Sequence, residues 1–217
     1  YIFFDLDGTL TDSMPGIVKS VQHALKYYGI EVEDLNELKP FVGPPLVESF
    51  QKYYGFTKEQ SLEAITVFRE YYTEKGWCDN APYDGIEFVL QNLIAGGKKL
   101  YVATSKPEWM AKKVLEYFCL DFYFEFIGGA ESDETRSKKD EVIRYVMESC
   151  GLQNADEIVM VGDRSHDIVG AHKAGLEAVG ILYGYGDREE MEQANAEWIT
   201  ETTMSLSELI MKLKGNG

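Results

Sequence analysis

The chain has 217 residues, 45% of them hydrophobic and 13% aromatic, which is enough for one sizeable core or a core carrying a smaller insert and too apolar for a disordered chain. Its formal net charge of −16 disfavours nucleic-acid polymers and anionic membranes as partners, although a bound cation and a few lysines can reverse the field around a small anion. No apolar run approaches the ~20 residues of a membrane span, no signal-peptide pattern opens the sequence, and the scattered Cys78, Cys119 and Cys150 predict reduced thiols in a cytoplasmic protein.

The first element is an apolar strand over residues 1–5 that runs into two aspartates, Asp5 and Asp7, followed by Gly8-Thr9. Unpaired carboxylates are expensive to bury, so a strand ending this way is either a site or an acidic turn. From about residue 15 to about residue 77 only helical patterns follow. Ile17, Val21, Leu25 and Tyr28 recur at helical spacing and stop at Gly29; a second helix runs from Pro45 to Tyr54 and ends at Gly55. A third begins at Thr57 with Gln60 at capping-box spacing and continues to Gly76. This is a helical module of roughly 60 residues, far more than one strand-to-strand crossover needs. Strands and helices then alternate, with strands at 99–103, 125–127, 158–161, 178–182 and 197–199. Between them lie helices over 84–95, over 107–117 with a capping box from Ser105 to Glu108, and over 140–150. The alternation predicts an α/β fold with a parallel sheet.

In an open parallel sheet, ligands bind beyond the carboxyl ends of the strands. Three strand ends carry polar chemistry: Asp5 and Asp7, Thr104-Ser105, and Gly162-Asp163 with Asp167 after it. Side by side, these tips would gather several carboxylates, an arrangement that calls for a hard cation such as Mg²⁺. Paired carboxylates also offer a nucleophile and a proton carrier in one place.

The segments Asp5-Leu6-Asp7-Gly8-Thr9, Thr104-Ser105, a lysine near residue 139 and Gly162-Asp163 with Asp167 resemble the four ordered motifs of the haloacid dehalogenase-like superfamily of phosphohydrolases. The resemblance covers essentially the whole chain. It implies a Rossmann-like parallel-sheet core, residues 1–13 and 81–217, with an inserted α-helical cap over 14–80. It also implies roles. Asp5 is the nucleophile that becomes an aspartyl-phosphate, and Asp7 is the acid that protonates the leaving oxygen and then activates water. Mg²⁺ is held by the Asp5 carboxylate, the Asp7 backbone carbonyl and Asp163, with Asp167 directly or through water. Gly8, Thr9, Thr104 and Ser105 bind phosphate, the last two at a helix start, and a lysine pairs with phosphate and Asp5. The run Arg136-Ser137-Lys138-Lys139 offers two candidates and lacks the Lys-Pro common in the family; an arginine three residues earlier favours Lys139 over Lys138.

Gly43-Pro44-Pro45 sits where related caps carry a substrate loop, and serves equally as a helix start. Together with Leu46 it resembles the phosphoglycolate phosphatase and 5′-nucleotidase-type branch. The implied partner is a small phosphorylated metabolite, with monomer and homodimer both open. A sugar phosphomutase shares the motifs; a dehalogenase is not expected to carry Asp7, and intact motifs weigh against a non-catalytic binding module. His166 reads as an exposed helix residue, Arg164 as an ion-pair partner or a functional group, and the aromatic residues of the helical module as core.

Overall fold

The computed structural model describes residues 1–131 and 135–213. The chain divides into two compact units, one formed by Tyr1–Thr11 with Pro82–Gly217 and the other by Asp12–Ala81.

In chain order, β1 (Ile2–Phe4) leads to β2 (Thr11–Asp12), and the helical unit follows with α1 (Met14–Tyr27), α2 (Leu46–Tyr54) and α3 (Lys58–Glu74). The chain returns at β3 (Ala81–Pro82), then continues through α4 (Ile86–Ala95), β4 (Leu100–Pro107), α5 (Glu108–Tyr117), β5 (Phe126–Ala130) and α6 (Lys139–Ser149). It ends with β6 (Val159–Gly162), α7 (Ser165–Ala174), β7 (Glu177–Ile181), α8 (Arg188–Gln193), β8 (Trp198–Thr200) and α9 (Thr203–Lys212).

Six strands form one sheet in the order β5-β4-β1-β6-β7-β8, and every adjacent pair is parallel. The short strands β2 and β3 pair separately. Phe3 and Phe4 point to opposite faces of β1 and both are fully buried, as a parallel sheet covered by helices on both sides requires. On one face Phe3, Tyr101, Met160 and Ala178 pack against Val142, Val146 and Ile168 of the helices. The winding reverses at β1, which lies between β4 on one side and β6 on the other. That reversal opens a crevice at the carboxyl ends of the central strands, where an open α/β sheet receives its ligand.

In the helical unit, Thr57 accepts from the Gln60 backbone N–H at 3.2 Å while the Gln60 side chain accepts from the Thr57 N–H at 2.9 Å, so the expected capping box forms at α3. Gly55 ends α2 in the left-handed conformation (φ 66°). Pro45 is the N-cap of α2 rather than its first residue. An unexpected 3₁₀ segment, Leu35–Phe41, starts on Asp34, whose carboxylate accepts from the Asn36 N–H at 2.9 Å. Phe41, Phe50 and Phe56 build an aromatic core there, with ring centroids 5.0 Å apart for Phe41–Phe50 and 5.7 Å for Phe50–Phe56.

One expected feature is absent. The Ser105–Glu108 capping box does not form, because β4 runs on through Pro107, which pairs with Ala130 of β5 and is itself the N-cap of α5, without a side-chain cap. The backbone at Thr104–Lys106 is therefore strand end, not helix start.

Candidate active site

The register sets Phe4 beside Val102 of β4 and Val161 of β6, so the residues that follow all three emerge at one edge. Asp5 extends the ladder by one bond, its N–H donating to the Val161 carbonyl at 2.9 Å. The chain then turns sharply: the N–H groups of Thr9, Leu10 and Thr11 all converge on the Leu6 carbonyl, at 2.9–3.2 Å, and Gly8 donates to the Thr11 carbonyl at 2.8 Å. Gly8 holds φ +88° with its Cα against the Asp163 carboxylate. A Cβ there would be both strained and in collision with that carboxylate, so only glycine fits.

Asp5, Asp7, Thr104, Lys106, Lys139, Asp163 and Asp167 are all buried. Lys139, at the start of α6, uses its ammonium group three ways: Nζ lies 2.7 Å from Asp5 Oδ1 and 2.8 Å from Asp167 Oδ1, and donates to the Ala103 carbonyl at 3.0 Å. Lys138, the alternative lysine, is exposed. Asp163 accepts from Thr9 Oγ1 at 3.3 Å and from the Tyr185 N–H at 2.8 Å. Asp167 accepts from the Arg164 N–H at 3.1 Å through its other oxygen. The Thr104 hydroxyl oxygen accepts from the Lys106 N–H at 3.2 Å, and a hydroxyl that accepts can still donate its own proton. Ser105 is half-buried beside it.

Burying like charges together dictates the protonation pattern. Burial pushes the Asp5 carboxyl up to about 6, against the opposing pull of the Lys139 ammonium. Asp163 is raised well above the ordinary carboxylate value by burial and by the charges of Asp167 and Asp5. Asp167 is buried as well, yet Lys139 and His166 hold it below the ordinary value. Burial acts to lower the Lys139 ammonium, but Asp167 and Asp5 outweigh it and raise the group, so it stays charged.

The donor set fits a divalent cation. One carboxylate oxygen from each of Asp5, Asp163 and Asp167 lies within 4.8 Å of the others, and all three residues are buried. The buried edge carries four carboxylates, Asp5, Asp7, Asp163 and Asp167, against two ammonium groups, Lys106 and Lys139, a formal deficit of two positive charges. Oxygen-only ligands and a deficit of that size suit a hard divalent ion.

Three groups at this edge were not singled out from sequence. Lys106 is buried and bonds both Asp7 oxygens, at 2.8 and 2.7 Å. The loop after β7 brings Tyr185 to Asp163 and lets the Tyr183 hydroxyl donate to the Thr9 carbonyl at 3.2 Å; the signal was there in Tyr183-Gly184-Tyr185-Gly186, which follows an apolar strand as the other site segments do. Glu190 of α8 accepts from Arg164 Nε at 3.1 Å and from the Ser165 N–H at 2.7 Å, which caps α7 and makes Arg164 an ion-pair partner. His166 is half-buried rather than exposed, its Nε2 3.7 Å from Asp167 Oδ1, and burial lowers its pKa. Gly43, Pro44 and Pro45 are half-buried within the helical unit, with Gly43 at φ +103°.

The family model for haloacid dehalogenase-like hydrolases matches residues 2–181, and the chain belongs to that family. It is 44% identical over 190 residues to a 5′-nucleotidase of Pseudomonas aeruginosa, covering 88% of this chain and 86% of that protein. It is 38% identical to the tyrosine-protein kinase PtkA of Mycobacterium tuberculosis, over 92% of this chain and 67% of PtkA. A phosphoglycolate phosphatase of Colwellia psychrerythraea is 28% identical over 98% of this chain and 96% of its own length. The crystal structure of a predicted phosphatase from Clostridium acetobutylicum superposes with a TM-score of 0.96, at 46% identity and 98% coverage of both chains. Among the described residues no helix is long and apolar enough to cross a membrane.

Proposed function

We propose that this chain is a Mg²⁺-dependent phosphomonoester hydrolase that works through an aspartyl-phosphate on Asp5 in a cytoplasmic setting. The observation that carries the reading is the Asp5 carboxylate itself: buried, held 2.7 Å from the Lys139 ammonium, and part of an oxygen-only triad on a buried edge that is formally short of two positive charges. Asp5, Asp163 and Asp167 would hold the ion, with the Asp7 backbone carbonyl. When bound, Mg²⁺ supplies charge neutralisation to the phosphoryl oxygens and to the crowded carboxylates.

In the first half-reaction an Asp5 oxygen attacks phosphorus, the bond from phosphorus to the leaving oxygen breaks, and Asp7 gives that oxygen a proton. In the second, Asp7 takes a proton from water as the water oxygen attacks phosphorus, the bond to Asp5 breaks, and inorganic phosphate departs. Lys139 offsets charge on the phosphoryl group and orients Asp5. The Thr104 hydroxyl, the Ser105 region and the turn at Gly8-Thr9 receive phosphate oxygens. The helical unit Asp12–Ala81 is the substrate-selecting cap of this reading, with Gly43-Pro44-Pro45 as its contact loop.

Among the substrate classes of the resembling branch, a nucleoside 5′-monophosphate is favoured over phosphoglycolate, because the 5′-nucleotidase relative is 44% identical and the phosphoglycolate phosphatase relative 28%. The test is phosphate release from a panel containing nucleoside 5′-monophosphates, phosphoglycolate and hexose phosphates, with Mg²⁺ and with chelator. Wild type is expected to release phosphate only with the metal, and Asp5→Asn to lose at least about a thousandfold. No release from any member, or full activity in Asp5→Asn, overturns the reading.

A further inference from the structure

We propose that Lys106 is the positioning residue for Asp7, holding its carboxylate in the one orientation from which it can hand a proton to the leaving oxygen. The inference rests on the hydrolase reading above, in which Asp7 carries that proton; the four motifs account for Lys139 but give Lys106 no task.

Burying an ammonium group costs several kcal/mol unless it is paired. Among the described residues only two lysines are buried, and both point at a motif aspartate: Lys139 at Asp5 and Lys106 at Asp7. The two pairs differ in shape. Lys139 divides its donors among two carboxylates and a carbonyl, whereas Lys106 reaches both oxygens of one carboxylate at nearly equal distance, 2.8 and 2.7 Å. An ammonium on the bisector of a carboxylate resists rotation of the group about its own axis and tilt out of its plane. Each Asp7 oxygen keeps a second lone-pair direction, so the grip does not occupy the site of proton transfer.

The grip is anchored at both ends. Lys106 lies inside β4, whose pairing with β5 resumes at Pro107–Ala130 after an irregularity, and its own N–H is tied to the Thr104 hydroxyl at 3.2 Å. Asp7 sits in the turn whose N–H groups converge on the Leu6 carbonyl. A group carried on a strand and braced on both sides holds position better than one on a free loop. The proton balance is simple. Protonated Asp7 presents its O–H to the leaving oxygen while Lys106 donates to the other oxygen; as the bond to phosphorus breaks the proton moves across, Asp7 becomes a carboxylate, and Lys106 stands against the new negative charge. Lys106 transfers no proton itself.

The readout is dependence on the leaving group. A nitrophenolate departs without a proton, while an alkoxide needs one. The measured quantity is kcat/KM, which covers steps only up to departure of that group, for p-nitrophenyl phosphate and for the alkyl phosphomonoester on which wild type is most active in the panel. Lys106→Met is expected to lose about 100-fold on the alkyl ester and no more than about threefold on p-nitrophenyl phosphate. Lys106→Arg, which keeps the charge and guards against a variant that does not fold, is expected to show the same split at about tenfold. Equal losses on both substrates, the mark of a phosphate-binding or merely structural cation, overturn the inference, as does unchanged kcat/KM on both. Wild type inert on the whole panel fails the hydrolase reading first and this inference with it; an active wild type with an even loss fails the inference alone.

Discussion

The carboxyl edge of the sheet and the helical unit are built on opposite plans. The edge buries Asp5, Asp7, Asp163, Asp167, Lys106 and Lys139, whereas the buried polar side chains of the helical unit are serines: Ser13, Ser20, Ser49 and Ser61. Two of those serines donate back to carbonyls one turn earlier, Ser20 to Gly16 at 2.6 Å and Ser61 to Thr57 at 2.8 Å, and need nothing else. The rest of that unit is held by apolar packing, with Phe50 fully buried between Phe41 and Phe56, and with Phe68 stacked on Tyr72 at 5.2 Å. One region spends stability on preorganised charge; the other supplies stability by burial. They should therefore answer to different perturbations.

The largest expected effect is in the helical unit. Phe50→Ala removes a fully buried ring and leaves a cavity among aromatic neighbours, which costs about 3–5 kcal/mol. Thermal unfolding should show the loss, while the stabilisation gained on adding Mg²⁺ should stay the same size. A Phe50→Ala protein that no longer gains stability from Mg²⁺ would mean that the two regions share their energetics.

What the sequence made legible follows the same division. Asp5, Asp7 and Asp163 stood out because each closes an apolar run, and a carboxylate at the end of a buried strand needs a reason. The helical unit was legible from period and punctuation alone: Gly55 and the Thr57–Gln60 box sit where spacing put them. Lys106 was hidden because Thr104-Ser105-Lys106-Pro107-Glu108 reads locally as a capped helix start, and only the pairing of Pro107 with Ala130 keeps that stretch in the sheet. Lys138 and Lys139 are adjacent and chemically identical, and only the resemblance through Arg136 favoured Lys139; helix phase, which aims Lys139 inward at the start of α6 and leaves Lys138 exposed, supplies the physical reason. Long-range pairing and helix phase are the two things a local pattern carries least well.

The next effect tests the edge through pH. In the metal-free protein Asp5 and Asp163 hold protons more tightly when folded than when unfolded, so acidification from pH 7 toward 5 should stabilise it. With Asp5 raised from 3.8 to about 6, that residue alone is worth on the order of 1 kcal/mol between the two ends of that window. Asp167, shifted the other way, contributes stability that is lost only below the ordinary carboxylate range, and leaves the window untouched. Mg²⁺ removes the need for those protons, so its stabilising effect should be large at pH 7.5 and small at pH 5. Differential scanning fluorimetry across that range checks both slopes; a metal-free melting temperature that rises steadily from pH 5 to 7.5 would contradict the assignment of Asp5 and Asp163.

The smallest effect is the sharpest probe of independence. Thr57→Ala removes the side chain that accepts from the Gln60 N–H and leaves Gln60 with one arm of the box, a loss of about 1 kcal/mol and about 2–4 °C in melting temperature. Thr57 caps a helix that carries no charged group of the sheet edge, so kcat/KM on the best phosphomonoester should stay within about twofold of wild type. The deficit should also be equal in Mg²⁺ and in chelator. If the melting-temperature loss disappears when the metal is bound, the edge and the helical unit unfold as one cooperative block, and the stability stored in aromatic packing directly supports the charged site. If it persists unchanged, the site's charges are balanced locally, by Lys106, Lys139 and the bound cation.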